Sequence, residues 1–131
     1  MQMPVQTSSL AQFSQQNYLN LESFRKNGLS VKTPVWFVQD GDTLYVRTVA
    51  GSGKVKRIRR NPQVNIAPCT GSGDLRGEWV SAQAREVSGE IEKRVDSLLG
   101  RKYGLQKTLF ALMSALRRDQ YTILEIKVSE S

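Results

Sequence analysis

Residues 18–48 read YLNLESFRKNGLSVKTPVWFVQDGDTLYVRT, which is three segments of β-type sequence joined by two tight turns. The first segment alternates leucine or serine with larger or polar residues, a period of two that is typical of strands. Asn27-Gly28 predicts a hairpin turn before a strand over residues 31–38, and Asp40-Gly41 predicts a second turn before a strand over 44–48. Three strands in such close succession indicate an antiparallel meander.

Pro34 interrupts the second of these strands. Proline has no N–H to donate to a ladder, so the strand is expected to lie at an edge or to carry a bulge. Val35 and Phe37 share one face of this strand, and that face is expected to pack in the core. The other face and the freed backbone groups are then available to a ligand.

The rest of the chain supplies further strands and peripheral helices. Residues 54–60 follow a Gly-Ser-Gly loop and place Val55 and Ile58 three apart, which predicts a two-turn helix. Helices are also predicted over 8–16, from Ile91 to Leu99 and from Leu105 to Leu116, and strands over 64–68, 79–87 and 121–128. The chain is therefore expected to be one domain over residues 1–131. Its predicted fold is mainly β (α+β), a six-stranded antiparallel barrel with peripheral helices.

Composition limits the chemistry. Apolar residues make up 39% of the chain and charged residues 24%, as in ordinary globular domains. There is no histidine, so every Ser/His or Cys/His triad is excluded, and no metal site is expected. The single Cys69 is expected to be a small buried residue rather than a nucleophile. No catalytic residue can be assigned, although Tyr45 and Tyr103 are considered as proton donors.

The sequence predicts a cytoplasmic protein. No apolar run approaches the ~20 residues of a membrane span, and no signal peptide is visible at the N-terminus. Nineteen basic and twelve acidic residues give a net charge of +7, which favours anionic partners. Nucleic acid is not expected among them, because the aromatic residues are few and are not interleaved with the basic ones.

The charge is distributed unevenly. Residues 43–73 contain no acidic residue and six basic ones, namely Arg47, Lys54, Lys56, Arg57, Arg59 and Arg60. A basic helix that starts after Gly-Ser-Gly can bind an anion through free backbone N–H groups, the helix dipole and the charge of Lys54. A solvated basic face would have the same sequence. Trp36 similarly fits either the core or a stacking contact with a planar ligand.

Four segments together carry a family resemblance. They are FRKNG (24–28), TPVWF (33–37), LYVRT (44–48) and GSGKVKRIRRNP (51–62), followed by Val64. In combination they closely resemble the pyridoxamine 5′-phosphate oxidase-like, FMN-binding split-barrel superfamily. The most similar subgroup is that of the small F-420- or FMN-dependent reductases. The resemblance covers residues 19–87, and the later helices and last strand agree with it in order.

The resemblance implies a fold, a cofactor and a set of binding residues. Members of the superfamily are split β-barrel homodimers that bind the flavin in a groove between the subunits. By this resemblance the phosphate is held by Arg47, Thr48, Ser52 and Lys54. The isoalloxazine ring runs along Thr33, Pro34, Val35 and Trp36. The implied cofactor is FMN, with coenzyme F-420 as the alternative. A homodimer also agrees with the apolar stripe formed by Leu105, Leu109, Leu112 and Leu116.

The implied function is that of a flavin- or deazaflavin-dependent oxidoreductase, which transfers hydride between the bound cofactor and a small organic substrate. The alternative is a non-catalytic FMN-binding protein of the same fold. Thr33 and Gly53 stand where the pyridoxamine 5′-phosphate oxidases proper have arginine. Oxidation of pyridoxine 5′-phosphate itself is therefore not expected.

Overall fold

The computed structural model of the chain describes residues 10–104 and 120–129. Within these ranges the elements are, in order, β1 (Tyr18–Phe24), β2 (Ser30–Trp36), β3 (Val38–Asp40), β4 (Thr43–Val49), α1 (Gly53–Arg60), β5 (Gln63–Cys69), β6 (Val80–Val87), α2 (Ile91–Tyr103) and β7 (Tyr121–Val128). Residues 10 and 11 are helical and residues 12–15 form turns, with hydrogen bonds such as Phe13 N–H to Leu10 O. The predicted leucine stripe at 105–116 and residues 8 and 9 of the predicted first helix lie outside the described residues.

The strands form one antiparallel sheet in the order β2-β1-β5-β6-β7-β4-β3. The prediction of a mainly β fold with peripheral helices is confirmed. The prediction of a six-stranded split barrel is wrong in its strand number, because the described residues form seven strands, and these make an unclosed sheet. The extra strand arises where the strand predicted over 31–38 is broken at Phe37. Its two parts, β2 and β3, form the opposite edges of the sheet, and no ladder joins them within the described residues.

Side chains from the end of α2 cause the break at Phe37. The Phe37 N–H donates to the Tyr103 hydroxyl at 3.2 Å, and the Phe37 carbonyl accepts from Lys102 Nζ at 2.7 Å. The Tyr103 hydroxyl also lies 2.8 Å from the Phe37 carbonyl and 2.7 Å from that of Asn17. These side chains satisfy the Phe37 peptide, so it needs no partner in a neighbouring strand. The chain can therefore cross from one edge of the sheet to the other at this residue.

The two faces of the sheet belong to different apolar clusters. Leu44 and Val46 on β4 lie in the inner cluster, to which α1 contributes Ile58. Tyr45, between them, points to the opposite face and packs in the cluster beneath α2. Thus β4 is covered on both sides, and this packing positions the turn between β4 and α1. No helix within the described residues is long and apolar enough to span a bilayer.

Strand β2 lies at the sheet edge, as Pro34 predicts. It pairs with β1 alone, and its register runs without interruption from Ser30 to Trp36, so the proline marks an edge and not a bulge. The predicted inner face is also confirmed, because Phe37 is fully buried in the inner cluster and Val35 packs against that cluster. One side of this strand is therefore core, and its outer backbone edge carries no neighbouring strand among the described residues.

Candidate functional site

The turn from β4 into α1 presents hydrogen-bonding groups that lack a protein partner. Ser52 is the N-cap residue of α1, and its carbonyl accepts from the Lys56 N–H at 3.2 Å. The Ser52 hydroxyl does not cap the helix, and its buried Oγ has no hydrogen-bond partner among the described residues. The first turn of α1 also contains no acidic residue. Buried polar atoms are nearly always paired, so this arrangement fits an anionic ligand at the helix start.

Lys54 adds a cation to this turn. Its side chain is half-buried, and burial together with the charge of Arg57 lowers the pKa of its ammonium group. None of the ion pairs within the described residues includes Lys54. A bound anion would offset both the desolvation of the ammonium group and its repulsion by Arg57.

Arg57 lies one turn further along α1. Its Nε donates to the Ser23 hydroxyl on β1 at 2.7 Å, which fastens the helix to the sheet. Its Nη1 lies 2.7 Å from the position that a Cβ atom on Gly53 would occupy. Burial and the charges of Arg25 and Arg60 lower the pKa of the Arg57 guanidinium. The start of α1 therefore carries a concentration of positive charge.

Arg47 and Thr48, the other two residues expected at the phosphate, point to opposite faces of β4. Arg47 Nη1 is 3.4 Å from Asp96 on α2, and its guanidinium lies 3.8 Å from the ring centroid of Tyr121. Its Nε is buried and has no hydrogen-bond partner among the described residues. Thr48 is buried on the face that β4 turns to the inner cluster. Ser52 and Lys54 thus both lie at the start of α1, whereas Arg47 is directed toward α2 and β7.

The first residues of β2 lie at the end of the sheet where α1 packs. Ser23, the partner of Arg57, is paired with Val31, and the neighbouring Leu21 is paired with Thr33. Of the four residues expected along the ring, Thr33 is therefore the nearest to this contact in the strand register. Pro34 and Val35 follow along the strand toward the break at Phe37.

Trp36 lies at the other end of β2. One face of its indole ring is stacked on Tyr103, with ring centroids 4.6 Å apart and an interplanar angle of 10°. The Tyr18 ring is a tilted neighbour at 6.4 Å. A ligand could meet only the remaining indole face or its edge.

Other reactive groups have structural environments. Cys69 is buried, and burial raises the pKa of its thiol, with the charge of Asp74 adding to the effect. Tyr45 and Tyr103 are also buried, and burial raises the pKa of both hydroxyls. The described residues contain no group of three or more acidic or cysteine side chains that could hold a metal ion. Three surface clefts of about 260 to 430 Å³ contain none of the residues predicted to bind the cofactor. They lie around β6 and β7 and beside the segment before β1, where Cys69 is part of the lining.

Sequence reasoning missed two features of this region. The contact of Arg57 with Ser23 and Gly53 has a partial signal, because positions 53 and 57 are four apart and share a helix face. The contact of Lys102 with Phe37 has none, because the two residues are 65 positions apart in the chain.

The fold recurs in solved structures. The heme storage protein HutZ from Vibrio cholerae has a TM-score of 0.72 at 16% identity, over 98% of this chain and 93% of that one. An F420-H2 dependent reductase has a TM-score of 0.62 at 15% identity, over 85% and 94%. A FAD-binding protein from Mesorhizobium loti has a TM-score of 0.61 at 14% identity, over 95% and 87%. At these identities the likeness shows the shared fold alone.

The sequence itself gives the family. No curated protein matches it. The sequence model for pyridoxamine 5′-phosphate oxidase matches residues 7–131, nearly the whole chain. This match agrees with the resemblance carried by the segments between residues 24 and 62. The protein is therefore a member of the pyridoxamine 5′-phosphate oxidase family.

Proposed function

We propose that this protein is a flavin- or deazaflavin-dependent oxidoreductase that transfers hydride between bound FMN or F-420 and a small organic substrate. The carrying observation is the start of α1, where the buried Ser52 hydroxyl has no partner among the described residues and the half-buried Lys54 belongs to none of their ion pairs. A phosphate ester supplies the oxygen atoms and negative charge that these groups lack. Family membership supports the same assignment.

The residues of the chain would bind and orient the cofactor, which when bound supplies the hydride chemistry. Ser52 and Lys54 hold the phosphate, and the first-turn N–H groups of α1 assist them. The ring lies along β2, from Thr33 to Trp36. On this edge strand, backbone groups directed away from β1 can bond to the ring, except at Pro34, which has no N–H. The family resemblance also assigns Arg47 and Thr48 to the phosphate end. In this structure Arg47 is directed toward Asp96 and Tyr121, and Thr48 is buried on the opposite face of β4, so Ser52 and Lys54 carry the proposal.

FMN is the cofactor that we propose first, and F-420 is the alternative. Among the structural neighbours, one is a FAD-binding protein and one an F420-H2 dependent reductase. The neighbour from Vibrio cholerae is a heme storage protein. Heme is less favoured here, because the 131 residues contain no histidine, the axial ligand of many heme proteins.

Removal of the Lys54 ammonium group tests the phosphate site. Lys54→Ala should weaken FMN binding by about 10- to 150-fold, the value of one charge-assisted hydrogen bond, and leave riboflavin binding unchanged. Titration with quenching of flavin fluorescence gives both affinities, and the same variant is titrated with F-420. Lys56→Ala, an exposed lysine two residues along the same helix, is the matched control. Unchanged FMN and F-420 affinity in Lys54→Ala contradicts the assignment.

A non-catalytic FMN-binding protein is the second candidate. The burial of Tyr45 and Tyr103, the two side chains considered as proton donors, favours it. The two functions differ in the fate of the reduced cofactor. An oxidoreductase reoxidises it faster with an organic substrate than with oxygen, whereas a binding protein shows oxygen-limited reoxidation with every substrate offered. Stopped-flow absorbance distinguishes these outcomes.

A further inference from the structure

The guanidinium of Arg57 occupies space that a side chain at position 53 would take. Helical side chains lean toward the N-terminus, so Arg57 reaches back over the first residue of α1. A Cβ atom on Gly53 would lie 2.7 Å from Arg57 Nη1, closer than real Cβ atoms come to another heavy atom. Glycine at this position therefore lets the guanidinium lie beside the helix start.

Ser23 fixes the orientation of that guanidinium. The 2.7 Å hydrogen bond to the Ser23 hydroxyl uses Nε, and neither Nη group forms a hydrogen bond to another described residue. Within the described residues, no ion pair includes Arg57. The next arginine on the helix differs in this respect, because Arg59 forms a two-point ion pair with Glu86.

Within the described residues, the charges that shift the pKa of Arg57 belong to basic side chains. Arg25 and Arg60 repel its guanidinium, and its own charge acts in turn on Lys54. Holding a partly buried guanidinium among like charges is unfavourable in the free protein. An anion bound at the same place would reverse the sign of these interactions, and a phosphate matches the geometry of the two Nη groups.

We propose that Arg57 binds the cofactor phosphate directly, with Ser23 as the residue that orients it and Gly53 as the residue that leaves it room. The inference rests on the proposed function and extends its binding site by three residues. The two Nη groups donate to phosphate oxygens, beside the contacts from Ser52 and Lys54. The ligand class is a phosphate ester of a flavin or deazaflavin.

The test compares a cofactor that carries a phosphate with one that does not. Arg57→Gln should weaken FMN binding about 10-fold or more and change riboflavin binding less than about twofold, measured by flavin fluorescence quenching on the full chain. If the protein binds F-420 instead of FMN, its phosphate-free deazaflavin riboside replaces riboflavin. Arg59→Gln is the matched control, because Arg59 lies on the same helix and its guanidinium is paired with Glu86. This variant should leave both affinities unchanged.

Gly53→Ala supplies an independent variant that keeps every charge. The added methyl group displaces Arg57 Nη1, which is the mobile end of a long side chain, so the fold is expected to survive. It should weaken FMN binding and spare riboflavin binding. Circular dichroism melting checks that each variant is folded. If Arg57→Gln does not fold, the affinities of Gly53→Ala alone test the inference.

Two results would overturn the inference. FMN affinity within about twofold of the original protein in both variants excludes a direct contact, and equal losses for FMN and riboflavin indicate a structural role. Failure of the proposed function is a separate outcome, since the unmodified protein would then bind neither FMN nor F-420.

Discussion

The indole of Trp36 and the phenol of Tyr103 are stacked nearly parallel, with centroids 4.6 Å apart. The Tyr103 hydroxyl also accepts from the Phe37 N–H. One residue of α2 therefore holds both the last residue of β2 and the peptide that follows it. Since β2 is the strand proposed to carry the cofactor ring, its placement depends on a helix distant in sequence.

Tyr103→Phe should destabilise the protein by about 1–3 kcal/mol, because it removes the acceptor of a buried N–H and keeps the stacked ring. Urea unfolding followed by circular dichroism measures the loss. Tyr18→Phe is the control, because the Tyr18 hydroxyl takes part in no hydrogen bond among the described residues. Equal stability of the two variants would show that the Tyr103 hydroxyl does not stabilise the chain break at Phe37.

Lys102 should make stability depend on pH in the alkaline range. Burial lowers the pKa of its ammonium group from 10.5 to about 8. Between those values the unfolded chain retains a proton that the folded protein has released, so this group's contribution to stability rises as the pH increases from about 8 to about 10.5.

Comparison with Lys102→Met isolates that contribution. The stability of the original protein minus that of the variant should increase over this range, as measured by urea unfolding at several pH values. Lys102→Arg keeps a charge throughout and should behave like Lys102→Met in its lack of the rise. A difference that stays constant with pH would refute the shift.

Ile58→Ala should cost about 2–5 kcal/mol, because Ile58 is buried at 3% exposure and packs α1 on the inner cluster. The neighbouring Arg59→Ala should cost less than about 1 kcal/mol, because its ion pair with Glu86 is exposed. Thermal or urea unfolding separates the two. Similar losses would mean that α1 is held by its charges and not by its apolar seam.

We further propose a homodimer with the cofactor groove between subunits. One side of strand β2 has no neighbouring strand within the described residues. Val49, beside the start of α1, is 48% exposed. Light scattering at micromolar concentration with FMN present should give twice the mass of one chain. A monomeric mass under these conditions would exclude a groove built from two chains.

Local sequence signals predicted most of the strand positions, the two turns and the edge position of β2. These features depend on neighbours in the chain, such as Pro34 and the Asn27-Gly28 pair. The predicted three-stranded meander is wrong, because β2 and β4 lie toward opposite edges of the sheet and do not pair within the described residues. The break at Phe37 could not be predicted, because its partners come from α2. An uninterrupted β-type stretch was therefore predicted as one strand where the protein has two, and the described residues form seven strands where six were predicted.

In the candidate site, too, only the features that depend on neighbouring residues could be predicted. Ser52 and Lys54 follow from the Gly-Ser-Gly-Lys helix start, which is a local pattern. The contact of Arg47 with Asp96 depends on how α2 lies across the sheet, so no spacing in the sequence indicates it. For the same reason, the link from Arg57 to Ser23 required the packing of α1 on β1.

The single-residue link between β2 and β3 has a consequence for folding kinetics. Phe37 alone separates β2 from β3 in the chain, so placing these two strands requires almost no loop closure between them. The pairing of β4 with β7 joins strands far apart in the chain and must close a long loop that includes α1, β5, β6 and α2. We therefore expect docking of β7 to limit the folding rate, with the β1–β2 hairpin and the β3–β4 hairpin formed earlier.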